Sequence, residues 1–168
     1  LGGMQALAWA TRYPDRVAGL IVSGCTIDYS QPAMRILTRA NQVALAVYPT
    51  GLLNRLQAKA MRVQYPQWAD EILRGGFYLA GFSQAIGMLT KRYFPDGLHH
   101  FPRPILVLDG EKDKRNRAGE ARMMESLPTA ELVVLRGAGH ICNLDEPDGF
   151  NAAVVGFLRA LPAAAKHA

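Results

Sequence analysis

The spacing of apolar residues predicts a helix followed by a strand at the start of the chain. The opening stretch, LGGMQALAWATRYPDRV, carries Met4, Leu7 and Ala8 at helical spacing and stops before Pro14, where a helix is expected to end. VAGLIVSG, residues 17–24, is short, apolar and rich in β-branched side chains. Such a run predicts a strand that is buried on both faces, as in a parallel sheet.

The same alternation of strand and helix returns after residue 96. PILVLDG (residues 104–110) and ELVVL (residues 131–135) predict two more buried strands, with a helix over about residues 117–127 between them. A last helix carries apolar side chains from Phe150 to Leu161, and Asp145, Glu146 and Pro147 mark its start. Strands separated by helices predict the α/β class, with a parallel sheet and helices on both faces.

The middle of the chain, residues 28–95, follows a different pattern. Apolar residues recur at helical spacing in two segments, with Met34, Leu37, Val43 and Val47 in the first and Leu52, Leu56, Ala60 and Val63 in the second. Gly51, Pro66 and the pair at residues 75–76 separate these segments, and no strand-like run interrupts them. We therefore expect residues 28–95 to be a helical cap inserted into a core of residues 1–27 and 96–168.

Composition and charge narrow the class of protein. The 168 residues are 49% hydrophobic, which is ordinary for a globular core, and no run approaches the roughly 18 apolar residues of a membrane-spanning helix. The net charge of +5 comes from scattered Lys and Arg, so neither nucleic acid nor a membrane is expected as a partner. Cys25 and Cys142 are expected to be buried thiols, no metal or organic cofactor is implied, and a cytoplasmic location is expected.

Two loops that follow predicted strands carry candidate catalytic residues. GEKD places Asp113 beyond the second predicted strand, and GAGH places His140 beyond the third. In an open parallel sheet the loops at this edge converge on one crevice, where ligands bind. An Asp that binds one imidazole nitrogen fixes the tautomer, so that the other nitrogen can take a proton from a hydroxyl nucleophile. We therefore predict a dyad of Asp113 and His140 that lacks only its nucleophile.

The first residues resemble the segment that follows the serine of a G-x-S-x-G nucleophile elbow. LGGM would follow the serine, and GEKD, GAGH and NLDEPDGFNAAVVGFL then stand in the order nucleophile, acid, histidine. On these motifs the chain resembles the C-terminal two-thirds of an α/β-hydrolase fold protein, cut directly after the nucleophile and lacking its N-terminal strands. The resemblance implies a serine before residue 1 and an oxyanion hole to which the backbone N–H of Leu1 contributes.

The tail GHICNLDEPDGFN is similar to that of small esterases and of 3-oxoadipate enol-lactonase-like hydrolases. This resemblance implies cleavage of a small-molecule carboxylic ester or lactone by the full-length protein, with this chain inactive alone. LGGMQAL with YPDRV also resembles homoserine acetyltransferases, so an acyltransferase of the same fold is one alternative. A non-catalytic fragment or interaction module, with these residues as the whole functional chain, is the other.

Other residues are alternatives for the roles in this site. Asp109 is the other possible acid, although it lies at the end of the predicted strand, before the turn that should carry the acid into the cleft. Ser83 in GFSQA resembles the serine of G-x-S-x-A, but the residues after it continue as a predicted helix. Cys142 is a possible nucleophile, or a small apolar side chain of the core. His99 and His100 are expected to be ordinary linker residues.

Basic residues surround the predicted acid. They are Lys112, Lys114, Arg115 and Arg117. Such a cluster either attracts a substrate that bears a carboxylate or is a solvated loop, and the second interpretation is the simpler one.

Overall fold

The computed structural model describes residues 2–27, 29, 31–76, 81–85, 98–127 and 129–162. The chain divides into two compact units, Leu1–Asp28 together with Phe94–Ala168, and Tyr29–Tyr93. The described strands belong to the first unit, and the described secondary structure of the second unit is helical.

The sheet of the first unit has three parallel strands in the described part of the chain. They are β1 (Leu20–Ser23), β2 (Ile105–Gly110) and β3 (Ala130–Leu135), in the order β1-β2-β3. Leu20 pairs with Ile105, which in turn pairs with Ala130, so the strands start level and their carboxyl ends share one edge. The predicted α/β class and parallel sheet are confirmed.

Helices precede, connect and follow the strands. They are α1 (Gly2–Arg12), α2 (Pro32–Val47), α3 (Thr50–Gln64), α4 (Ala69–Arg74), α5 (Lys114–Arg117), α6 (Glu120–Ser126), α7 (Cys142–Asp145) and α8 (Pro147–Ala160). Short 3₁₀ turns occur at Pro14–Arg16 and Leu98–His100, and residues 81–85 are also helical.

Both faces of the sheet are covered by helices. Leu7 of α1 and Met123 of α6 belong to the same core cluster as Val107 of β2. Phe157 of α8 belongs to a second cluster with Leu106, the preceding residue of β2. Successive side chains of a strand point to opposite faces, so β2 contributes to both cores and all its residues are buried. The expected helices on both faces are confirmed.

The first predicted strand is shorter and less buried than expected. The prediction covered residues 17–24, but the N–H of Val17 closes the preceding 3₁₀ turn on the carbonyl of Pro14. Pairing with the neighbouring strand therefore begins only at Leu20, whose N–H donates to the carbonyl of Pro104 at 3.0 Å. Burial alternates along β1, so only one face is fully buried, and Ile21 on the other face is partly buried against the second core cluster.

The helix predicted over about residues 117–127 is two helices, α5 and α6. The side chain of Asp113 caps the start of α5, so helical structure already begins at Lys114, before the predicted start. The N–H of Gly119 then turns back to the carbonyl of Asn116 at 2.8 Å, which ends α5 before α6 begins. The turn α7 before the last helix was not predicted either, whereas α8 begins at Pro147 as expected.

The second unit contains α2, α3, α4 and the helical residues 81–85. Helices α3 and α4 pack together, with Tyr65 and Ala69 buried at their junction. No side chain of α2 or α3 is fully buried. That residues 28–95 act as a cap stays a prediction. Within the described part of the chain, every helix is too short or too polar to cross a bilayer.

A close approach of two backbones explains why residue 110 is a glycine. A Cβ at Gly110 would lie 2.1 Å from the carbonyl oxygen of Gly139 and 2.6 Å from that of Ala138. Backbone atoms cannot rotate away as a flexible side chain can. Any larger residue at position 110 must therefore separate the loop after β2 from the loop after β3.

We expect Gly110→Ala to lower the free energy of unfolding by about 1–3 kcal/mol or more, because overpacking forces backbone shifts. Urea unfolding of the purified protein measures the effect. Gly156→Ala is the matched control, since Gly156 is exposed within α8 and a Cβ there would have no heavy atom within 4 Å. The control is expected to gain about 0.5–1 kcal/mol. Equal effects of the two substitutions would contradict the interpretation.

Candidate active site

Asp113 and His140 meet at the carboxyl-terminal edge of the sheet. Asp113 lies in the turn after β2, and His140 lies in the loop after β3. The Oδ2 atom of Asp113 is 2.7 Å from Nδ1 of His140, which is hydrogen-bond distance. The structure therefore brings together the two residues that the strand positions predicted. Their catalytic roles stay a prediction.

The start of α5 holds the Asp113 side chain in place. As the N-cap residue of α5, Asp113 accepts a hydrogen bond at Oδ1 from the backbone N–H of Asn116, with 3.4 Å between the atoms. The side-chain amide of Asn116 also donates to Oδ2 of Asp113 at 2.6 Å. Asn116 was not among the predicted site residues. The D-x-x-N spacing of a capped helix is the signal that points to it.

The hydrogen bonds around Asp113 favour the ionised form of its carboxyl group. Burial alone would raise the pKa of Asp113, but the hydrogen bonds from Asn116 and His140 outweigh burial and hold this pKa below its usual value. A carboxylate only accepts hydrogen bonds, so Nδ1 of His140 carries the proton between them. This tautomer leaves the Nε2 lone pair available, and the His140 side chain is 63% exposed.

A backbone hydrogen bond joins the loop of the acid to the loop of the base, and a second hydrogen bond holds the loop of the base. The N–H of Lys112 donates to the carbonyl of Ala138 at 2.8 Å. The N–H of Gly139 donates to Oδ2 of Asp145 at 2.6 Å, which fixes the residue directly before His140. The two loops therefore form one rigid support for the dyad.

Gly24, directly after β1, lies beneath the imidazole ring. Its φ is +58°, a left-handed conformation that residues other than glycine rarely adopt. A Cβ there would lie 3.0 Å from Cε1 and 3.1 Å from Nδ1 of His140. The sequence pattern marked Gly24 only as the end of a strand. Its contact with His140 depends on a distance across the sheet that spacing does not encode.

Helix α1 begins at the same edge of the sheet. A Cβ at Gly3 would lie 3.1 Å from Sγ of Cys25 and 3.8 Å from the carbonyl oxygen of Ser23, so the first turn of α1 touches the end of β1. The N-terminus of a helix presents free N–H groups and a partial positive charge. Leu1, the predicted oxyanion donor, lies outside the described residues.

Asp109 does not contact His140 but is buried within β2. Its Oδ2 accepts a hydrogen bond from the Thr26 hydroxyl at 2.6 Å, and its side chain is fully buried. Burial raises the pKa of Asp109 to about 7; the Thr26 bond opposes this rise, and the neighbouring Glu120 carboxyl adds to it. Glu120 in turn pairs with Arg117. The structure therefore favours Asp113 as the partner of His140.

The other candidate nucleophiles are engaged elsewhere. Ser83 lies within the helical residues 81–85, and its hydroxyl donates to the carbonyl of Gln42 at 3.3 Å. A nucleophile elbow requires a serine between a strand and a helix, and the residues on both sides of Ser83 are helical. Burial raises the pKa of the Cys142 thiol and raises that of Cys25 to about 12. Both raised pKa values favour the protonated thiol near neutral pH, and the expected burial is confirmed.

The remaining candidates are at the surface. His99 and His100 are exposed in the 3₁₀ turn, with ring centroids 3.9 Å apart. Lys112, Lys114 and Arg115 are exposed around Asp113, and attraction of a carboxylate-bearing substrate by them stays a prediction. Across the described ranges, no group of three or more His, Cys, Asp or Glu side chains is placed to hold a metal ion.

A family model described as "Alpha/beta hydrolase family" matches residues 1–153. The fold, the order of the motifs and this match agree, and the chain belongs to the alpha/beta hydrolase family. The resemblance inferred from the sequence is therefore confirmed at the level of the family.

Particular relatives are similar over most of this chain. Protein ABHD14A of Rattus norvegicus is 27% identical over 138 residues, covering 79% of this chain and 56% of that protein. The 2-hydroxy-6-oxononadienedioate/2-hydroxy-6-oxononatrienedioate hydrolase of Burkholderia vietnamiensis is 27% identical over 173 residues, covering 95% and 60%. The enol-lactonase of Burkholderia xenovorans LB400 has the same fold, with a TM-score of 0.72, 21% identity and coverage of 94% and 62%. The chain spans less than two-thirds of each of these proteins.

The raised pKa of Asp109 predicts a pH-dependent stability. The folded protein holds this proton more tightly than the unfolded chain does, so the stabilisation is complete below the ordinary carboxyl pKa of 3.8 and is lost as pH rises toward about 7. Asn cannot ionise. We therefore expect the melting temperature of Asp109→Asn, relative to the unsubstituted protein, to increase between pH 5 and pH 8.

Thermal melts across this pH range measure the difference. Asp70→Asn is the control, because it makes the same substitution at a side chain that is 94% exposed. A constant difference for Asp109→Asn would mean that this carboxyl is ionised throughout the range.

Proposed function

We propose that this chain supplies the acid and the base of a serine hydrolase that cleaves a carboxylic ester or lactone. The observation that carries the proposal is the 2.7 Å contact between Asp113 and His140 at the carboxyl edge of a parallel sheet. Membership of a hydrolase family and the fold shared with an enol-lactonase support this type of reaction. The substrate is a small molecule, and no cofactor takes part in the proposed steps.

The nucleophile in this proposal is a serine directly before residue 1. The helix that follows a nucleophile elbow starts beside the catalytic histidine, and α1 starts at the edge where His140 lies. The close contact between Gly3 and Cys25 is what a sharp turn from strand into helix requires. The backbone N–H of Leu1 would then be one oxyanion donor, and such a donor contributes about 10²–10³-fold in rate.

The proposed reaction has two steps. The serine oxygen attacks the carbonyl carbon while Nε2 of His140 takes the hydroxyl proton, and the Asp113 carboxylate stabilises the imidazolium. The tetrahedral intermediate then releases the alcohol, which receives that proton from Nε2 and leaves an acyl-serine. Water attacks the acyl-serine and gives its proton to Nε2, and this proton returns to the serine as the carboxylic acid departs. With a lactone, the released alcohol remains attached to the acyl group.

The proposal also includes a division of the chain into a catalytic core and a cap. Residues 1–27 and 96–168 form the catalytic core, and residues 28–95 form the cap. The helical second unit, Tyr29–Tyr93, supports this division. The cytoplasmic location stays a prediction, as do the alternatives of an acyltransferase and of a non-catalytic module.

We expect His140→Ala in the full-length protein to lower hydrolysis of a short-chain aryl ester by about 10³-fold or more, because a hydroxyl without its base is a poor nucleophile. Circular dichroism checks that the fold is retained. Ser83→Ala is the matched control and should leave the activity unchanged. Activity of His140→Ala within tenfold of wild type would reject the dyad, and a comparable loss in Ser83→Ala would favour Ser83 as nucleophile.

The gene sequence and the isolated chain test the position of the nucleophile. The proposal requires an in-frame segment ending in G-x-S directly before Leu1. Residues 1–168 expressed alone should not hydrolyse the ester, because the attacking hydroxyl lies outside them. Hydrolysis by residues 1–168 would show that the nucleophile lies within them, and the absence of G-x-S upstream would favour the non-catalytic alternative.

A further inference from the structure

Asn116 is buried beside the dyad and contacts both of its members. Its side chain is fully buried, with Nδ2 at 2.6 Å from Oδ2 of Asp113 and 3.3 Å from Nδ1 of His140. Its backbone N–H faces the other carboxylate oxygen, Oδ1, at 3.4 Å. One residue therefore contacts both oxygens of the acid.

The neighbours of Asn116 determine how its amide is oriented. An ionised carboxylate offers only acceptors, so the NH₂ group faces Asp113 and the amide oxygen points away. That oxygen is buried with no hydrogen-bond partner among the described residues. An unpaired buried carbonyl is unfavourable, so packing alone does not account for an amide here, since an apolar side chain fills space without that penalty.

The two donors share one acceptor atom. Oδ2 of Asp113 accepts from Nδ2 of Asn116 and from Nδ1 of His140. Both nitrogens donate, so their 3.3 Å separation reflects the shared oxygen and not a bond between them. Rotation of the carboxylate about its Cβ–Cγ bond would break both hydrogen bonds together. The orientation of the imidazole therefore depends on whatever prevents that rotation.

We propose that Asn116 is a positioning residue for the dyad: its side-chain N–H holds the Asp113 carboxylate in the orientation that fixes Nδ1–H of His140. This inference rests on the proposed hydrolase function. Asn116 acts through Asp113 and does not touch the substrate. The titratable groups that interact with Asp113 are His140 in the loop after β3 and Asp109 within β2.

Deleting the amide should slow the reaction without weakening substrate binding. In the full-length protein we expect Asn116→Ala to lower kcat for the aryl ester by about 10–100-fold, by analogy with the loss when the hydrogen-bonding partner of a metal-ligating side chain is removed. KM should stay within about twofold, because the lost interaction matters for the transition state and not for binding. The ratio of kcat/KM between variant and wild type should be constant over the pH range in which Asp113 is ionised in both proteins.

Asn116→Asp supplies a signature that a merely structural role would not give. The introduced carboxyl has nearly the same shape, but it can donate to Asp113 only while it is protonated. We therefore expect the ratio of kcat/KM between this variant and wild type to fall as pH rises through the titration of the new carboxyl pair. Asn151→Asp places the same charge on an exposed position of α8 and should follow the wild-type profile.

Proton NMR provides a readout that does not require activity. The imidazole Nδ1–H of His140 should give a protected downfield resonance in the full-length wild-type protein. In Asn116→Ala this resonance should be lost to exchange with solvent, while circular dichroism shows an intact fold. Where the alanine variant does not fold, the near-isosteric Asn116→Asp is compared at high pH and at low pH in the same way.

The outcomes distinguish a failure of the positioning role from a failure of the hydrolase function. A pH-independent effect of Asn116→Asp, or a retained Nδ1–H resonance together with wild-type kcat in Asn116→Ala, would overturn the positioning role. If His140→Ala abolishes activity in the same assays, the hydrolase proposal survives that result. Full activity of His140→Ala would instead overturn the hydrolase proposal, whatever the Asn116 variants do.

Discussion

Two loops meet at the carboxyl edge of the sheet so closely that no Cβ fits between Gly110 and the carbonyl oxygen of Gly139. One loop carries the acid and the other carries the base, so the separation of these two backbones sets the distance between their side chains. A hydrogen bond from Lys112 to Ala138 holds the same separation from the other side of the turn. The polar contacts of the site therefore depend on a contact between two backbones in which no candidate catalytic side chain takes part.

The central strand connects that contact to the core. Its side chains alternate between the cluster that includes α1 and α6 and the cluster that includes α8, so β2 is anchored on both faces. Its last residues are polar or small. Asp109 is buried against Thr26, and Gly110 allows the loops to touch. The last two residues of β2 therefore hold the end of the strand and the two loops together at the edge where the exposed His140 lies.

The sequence predicted those parts of the fold in which burial alone determines the pattern. β2 is buried on both faces, so its unbroken apolar run identifies it, and Asp113 and His140 follow from the positions of strand ends. The predicted start of β1 was wrong because the N–H of Val17 bonds to the preceding turn and pairing begins only at Leu20. The apolar run does not record this hydrogen bond. The D-x-x-N spacing of a capped helix could have pointed to Asn116 as a partner of Asp113. The contacts that Asn116 and Gly24 make with His140 depend on distances between separate loops. No spacing within one segment records such distances.

The buried carboxyl of Asp109 also gives folding a proton balance. At a pH between the ordinary carboxyl value and about 7, the unfolded chain has released this proton and the folded protein has taken it up. Folding in this interval therefore consumes a proton from the solvent, and the buffer must supply it. The heat of folding measured by calorimetry consequently includes the ionisation enthalpy of the buffer. Buffers with different ionisation enthalpies would then give different apparent enthalpies for the same conformational change.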